Sequence, residues 1–140
     1  MKKALRVNPD TVWPGLGFPF HHAVVEPDGR RVHVSGQVAW DWERNVVGVG
    51  NAGLQTRYAI ENISRILESL GGGLEDIVSV NVFYTNQRDY KSICDAREEA
   101  FAAENGPAST AVRVAGLVQD ELLVEISAIA VIPDDQLKST

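Results

Sequence analysis

The run from Asn51 to Gly73 constrains the fold more than any other stretch of the chain. Leu54, Ala59, Ile60, Ile63, Ile66, Leu67 and Leu70 recur at helical spacing, which sets them along one stripe of an α-helix. Asn51 stands where an N-cap would accept a backbone hydrogen bond, and Gly71 where the helix would end. Glu61 and Arg65 make an i,i+4 pair for the outer face. After Gly71-Gly72-Gly73 the period shortens: over Ile77 to Tyr84, Val78, Val80, Val82 and Tyr84 alternate with Ser79 and Asn81, as in a strand. A helix with one apolar face, feeding a strand with alternating faces, predicts a helix layer on a sheet.

The remaining elements extend that layer. A short strand is expected at Ala4 to Val7, then an irregular loop punctuated by Pro9, Pro14, Gly15, Gly17 and Pro19, whose Trp13 and Phe18 are expected to dock on the body. Pro27-Asp28-Gly29 is a turn signal between Phe20 to Val25 and Arg31 to Val38, read as a β-hairpin with His22 opposite Ser35. A second helix is expected from about Asp89 to Glu104, with Tyr90, Ile93, Arg97, Ala100 and Phe101 on one stripe and Gly106 ending it. Strands at Ser109 to Val114 and Leu122 to Ile132 follow, and Pro133 to Thr140 reads as a frayed polar tail. The order predicts an α+β fold, with the two helices on one face of a mixed sheet, and one domain over residues 1–140.

Charge and composition exclude several functions. Thirteen Lys and Arg against nineteen Asp and Glu leave a net charge of −6, which repels a nucleic acid at long range. A single cysteine, Cys94, allows no intrachain disulfide or multi-cysteine metal site and suits a reducing compartment, so a cytoplasmic location is expected. Met1-Lys2-Lys3 resembles the charged start of a signal peptide, but Asn8, Pro9 and Asp10 interrupt before an apolar run. Nor does any stretch approach the ~20 apolar residues of a membrane span. Gly71-Gly72-Gly73 follows a helix and lacks a P-loop lysine, so it reads as a terminator.

Val34-Ser35-Gly36-Gln37, the Leu54 to Leu70 helix with its glycines, Pro107-Ala108 before a strand, and Val124-Glu125-Ile126-Ser127-Ala128-Ile129-Ala130 together resemble the Rid family of reactive intermediate deaminases, also called YjgF-like or L-PSP-type proteins. The resemblance runs from about Phe18 to Val131. It implies a chorismate-mutase-like subunit, a homotrimer around a central barrel, and small-molecule sites in clefts between subunits. It also implies hydrolysis of 2-aminoacrylate and related 2-imino acids to 2-keto acids and ammonia, with no cofactor and no metal. The alternative is a non-catalytic trimer that binds a small metabolite in the same cleft.

Imine hydrolysis asks for a group to orient water and a group to fix the substrate. By resemblance Glu125 is the water-positioning carboxylate, its alternative being a structural glutamate bonded across the trimer interface, and Phe20, Ser35, Gly36, Cys94, Pro107, Ser109 and Thr110 line the binding site. Three positions depart from the family. Ser109 replaces the arginine that follows Pro-Ala and clamps the substrate carboxylate, Cys94 replaces an Asn, and Phe20 replaces a Tyr. The first departure implies weak or absent activity on standard 2-imino acids, so that the substrate is expected to be a different small enamine or imine. Arg113 shares the parity of Ser109, but at ~3.3 Å per residue it stands about 13 Å away. Arg97 is the other candidate cation; its alternative is a stem packed on the helix with the guanidinium paired to Glu98, Glu99 or a neighbouring subunit. Cys94 reads as buried and inert, since no neighbour in sequence supplies a base.

His21 and His22, adjacent in an expected strand, point to opposite faces and so cannot form a metal pair, whereas His22 and Ser35 could share a hydrogen bond. His33 reads as a sheet-surface residue. Trp40 and Trp42, on one side of an extended segment, read as subunit packing. Alternation places Leu122, Val124, Ile126, Ala128 and Ala130 on one strand face, and Leu123, Glu125, Ser127, Ile129 and Val131 on the other.

Overall fold

The computed structural model describes residues 3–15 and 18–139; Gly17 and the extreme ends, including Met1, Lys2 and Thr140, lie outside them. Strands β1 (Leu5–Val7), β2 (Ala23–Val25) and β3 (Arg30–Gln37) precede helix α1 (Ala52–Ser69). Strand β4 (Ile77–Tyr84), helix α2 (Tyr90–Ala100), β5 (Ala108–Arg113) and β6 (Val124–Ile132) complete the order. The main sheet runs β3-β6-β4-β5, with β4 and β5 parallel and the other neighbours antiparallel. It is the mixed α+β layer expected from the sequence.

Both helices cover one face. Ala59, Ile60, Ile63 and Leu67 of α1 and Ile93 of α2 share a single core with Val80, Val82, Val124, Ile126, Ala128 and Ala130 of the strands. From Val124 to Ala130 burial alternates as the sequence predicts, with Glu125, Ser127 and Ile129 on the face away from the helices and only partly buried, whereas Val131 beyond them is buried. That face also carries exposed Asn81, Thr110 and Val112. Asn51 caps α1, its side-chain oxygen accepting from the Leu54 N–H at 3.0 Å, and Gly71 ends it at φ 86°. Among the described residues no helix is long and apolar enough to cross a membrane.

Six local expectations are corrected in whole or in part. The Pro27-Asp28-Gly29 turn exists, with Gly29 at φ 149°, but it joins two sheets instead of closing a hairpin: β2 pairs with β1, and β3 pairs with β6. His22 therefore does not face Ser35; its Nε2 meets the Trp13 carbonyl at 2.8 Å. Helix α2 stops at Ala100, where Phe101 turns extended (φ −114°, ψ 120°) to drive its ring into the core.

Trp13 and Phe18 dock only in part. They stay 58% and 42% exposed, packing edge-on against each other, while Trp13 meets the His22 ring edge-on and Phe18 stacks on Phe20. The tail does not fray either, because the Lys138 N–H donates to the Leu70 carbonyl at 2.9 Å and closes the end of α1. Nor are Trp40 and Trp42 a pair on an extended segment. Residues 38–47 fold into a tight loop in which Trp40 Nε1 donates to Gln119 Oε1, while Trp42 stands 98% exposed.

Candidate functional site

The predicted site residues fall into two groups within one subunit, and the strand register explains why. Ser109 is the partner of Val80 on β4, whereas Glu125 is the partner of Phe83. Positions 80 and 83 of one strand point to opposite faces, so Ser109 faces the helices and Glu125 the open side. Thr110, partnered with Asn81, lies on the open side and is exposed.

On the open face, Glu125 lies across Gly36. A β-carbon built at residue 36 would come within 2.8 Å of the Glu125 carboxyl carbon and closer still to one of its oxygens. Gly36 sits where the β3–β6 register slips between Val34 and Gln37, and the absence of a side chain there makes room for the carboxylate. Ser35 is exposed, and its carbonyl accepts from Gln37 Nε2. Among the described residues the Glu125 carboxylate takes part in no ion pair or side-chain hydrogen bond.

On the helix side, Arg97 is 1% exposed and its Nη2 donates to Ser109 Oγ at 2.7 Å. The pairing with Glu98 or Glu99 does not occur: Glu99 takes a two-pronged salt bridge from Arg57 on the surface. Among the described residues Arg97 forms no ion pair. Burial lowers its pKa from the ordinary guanidinium value, yet a guanidinium keeps its proton at any physiological pH. One turn earlier, Cys94 is buried, and that burial pushes its thiol above the ordinary 9.0. The burial agrees with the sequence reading, and a raised thiol pKa disfavours the nucleophilic thiolate. Burial likewise raises the Tyr90 phenol.

Phe20 and Pro107 border this second group. A β-carbon at Gly106 would lie 3.0 Å from the Phe20 Cα, and the His21 N–H donates to the Pro107 carbonyl at 2.9 Å. His21 Nδ1 lies 2.7 Å from the Gly106 carbonyl, which also accepts from Arg6 Nη1 at 2.8 Å. Residues 20–22 thus run beside the start of β5, at the edge of the sheet. Both histidines are held by backbone carbonyls, and among the described residues no group of three or more His, Cys, Asp or Glu is arranged to hold a metal ion.

Sequence reasoning singles out Arg97 as a candidate cation but not its bond to Ser109. The signal is a charged residue on the apolar stripe of α2, in phase with Ile93 and Phe101.

The family model described as endoribonuclease L-PSP matches residues 16–132. A relative named 3-aminoacrylate deaminase RutC, from Acinetobacter baylyi, is 39% identical over 99 residues, covering 71% of this chain and 77% of that protein. The crystal structure of YyfB from Yersinia pestis, a Rid-family protein of unknown function, is 30% identical and superposes with a TM-score of 0.87, covering 93% of this chain and 99% of that one. RidA from an Antarctic Psychrobacter is 32% identical with a TM-score of 0.68, covering 81% and 88%.

Proposed function

Since the chain belongs to the endoribonuclease L-PSP family, the Rid or YjgF family of its structural neighbours, we propose that it is a hydrolase of small enamines and imines. The observation that carries this reading is Glu125, an unpaired carboxylate laid over Gly36 on the sheet face that no helix covers. A partly buried carboxylate without a cation is placed to accept a proton from water.

In the proposed reaction an enamine first tautomerises to its imine, whose carbon then takes the water oxygen as Glu125 receives one water proton and passes it to nitrogen, giving a carbinolamine. Glu125 then takes the proton of the new hydroxyl and delivers it to the same nitrogen as the carbon–nitrogen bond breaks, so that a carbonyl compound and ammonia leave and the carboxylate is restored. Every atom comes from water and substrate, so no cofactor is required. The relative named for 3-aminoacrylate deamination supports this chemistry. A net charge of −6 weighs against RNA as the substrate.

Because Ser109 and Glu125 point to opposite faces of one sheet, they serve one substrate only if a second copy contributes one of them. This supports a cleft between subunits of a homotrimer, with the open sheet faces turned inward. Phe20, Ser35, Cys94, Pro107 and Thr110 are assigned to the walls of that cleft.

The test is ammonia release from 2-aminoacrylate and 2-iminobutanoate generated in situ by a dehydratase, with wild type beside Glu125→Gln. Wild type should accelerate release, and the variant should lose about 10²- to 10⁴-fold. A wild type no faster than buffer, or a variant as fast as wild type, refutes the reading.

A further inference from the structure

We propose that Arg97, acting through the Ser109 hydroxyl, makes the Ser109 side of this cleft a recognition site for a small carboxylate anion. The inference rests on the hydrolase reading for the identity of the anion, and on the Arg97–Ser109 geometry for its existence.

A hydroxyl has one proton to give and two lone pairs to receive. The Arg97 guanidinium occupies a lone pair of Ser109 Oγ at 2.7 Å, so the Ser109 proton must point elsewhere. Among the described residues nothing accepts it. Ser109 is only partly buried and lies on the edge strand β5. The result is an uncommitted donor, polarised by a full positive charge immediately behind it, at a place that solvent or a ligand can reach. Such a donor prefers an anionic acceptor over a neutral one, because a charge-assisted hydrogen bond is shorter and stronger.

The positive charge is not cancelled locally. The titratable groups that act on Arg97 are Cys94 and Tyr90, and burial disfavours the charged form of both. A buried cation without a counterion is expensive to keep, and an apolar side chain of similar length would fill the same space. An anion arriving at Ser109 supplies the missing countercharge. Arg97 is thus a positioning residue that never touches the ligand, and Ser109 is the contact. By this route the cation lost from position 109 is returned from the helix that precedes β5. The sequence-based exclusion of 2-imino acids then no longer follows.

The experiment titrates pyruvate and its neutral analogue pyruvamide into wild type, Ser109→Ala, Ser109→Thr, Arg97→Met and Arg97→Lys by calorimetry. Wild type should prefer the acid by roughly 10- to 100-fold. Ser109→Ala and Arg97→Met should each abolish that preference, and the double variant should lose nothing more, while Ser109→Thr and Arg97→Lys keep part of it. A merely structural Arg97 would lower stability without changing the acid-to-amide ratio.

An unchanged ratio in Arg97→Met, or no preference in wild type, overturns the proposal. If Arg97→Met fails to fold, Ser109→Ala against Ser109→Thr decides, since only the hydroxyl separates their expected behaviour. Wild-type turnover measured alongside reports on the hydrolase reading by itself. Discrimination without turnover sinks that reading and keeps this one, whereas turnover without discrimination does the reverse.

Discussion

Replacing Gly36 with alanine adds one methyl group in the space that the Glu125 carboxylate occupies, 2.8 Å from its carboxyl carbon and 3.0 Å from its Cγ. Position 36 has no left-handed backbone torsion, so the alanine itself is unstrained. Alanine in a strand is worth about 0.5–1 kcal/mol over glycine. Pushing Glu125 off its rotamer costs about 0.5–1.5 kcal/mol, which offsets that gain. Gly36→Ala should therefore leave stability nearly unchanged in wild type yet raise it in a Glu125→Ala background. The coupling should be about 0.5–1.5 kcal/mol, or roughly 2–5 °C in Tm for a domain of this size.

The assay is thermal unfolding of all four proteins at one protomer concentration, since assembly makes Tm concentration-dependent. Turnover of an imine should fall about 100-fold in Gly36→Ala, the effect of misplacing a reacting group by an ångström. Equal stabilisation in both backgrounds would refute the placement of Glu125. Full turnover in Gly36→Ala would refute the claim that this placement matters for catalysis.

Asp76 gives a pH signature. Burial, and secondarily the charge of Glu75, raise its pKa above the ordinary 3.8 despite a hydrogen bond from the Gly73 N–H. A raised folded-state pKa favours folding below 3.8, and that contribution is lost as pH rises through the folded value. Asp76→Asn should thus stabilise the protein at pH 7, and denaturant titrations should show the gain vanishing below about pH 3.8. Cys94 should resist thiol reagents in the native protein and react stoichiometrically in denaturant; rapid native labelling would contradict its burial at 8% exposure. Asn51→Ala removes the cap on Leu54 and should cost about 1 kcal/mol in chemical denaturation.

What was legible in the sequence was local. Helix α1 and strand β4 are set by their own periods and caps, and the alternation of β6 correctly put Glu125 on the face away from Val124 and Ile126. What failed depended on partners far along the chain. Pro27-Asp28-Gly29 marks a turn whatever the flanking strands pair with, and β3 finds its partner in β6, with Arg30 opposite Ile132. The end of α2 was hidden because Phe101 continues the apolar stripe while its backbone leaves the helix. Arg97 stood on that stripe as an anomaly, but its meaning lies in Ser109, across the α2–β5 connection. The docked tail was invisible for a related reason: nothing in a polar stretch announces that Lys138 will bond to Leu70.

The place of β6 in the sheet bears on how the molecule comes into being. Although it is the last strand along the chain, it lies in the middle, with β3 on one side and β4 on the other. During synthesis, α1 can form as soon as it emerges, but β3 must wait with an unpaired edge for a partner translated about a hundred residues later. Such non-local pairing slows folding and leaves strand edges exposed meanwhile. The vulnerable species is therefore the nascent chain before Val124, whose half-built sheet is a template for pairing with its neighbours on the same message. Slow translation ahead of β6 would lengthen that window, and burden on cellular chaperones should rise with it.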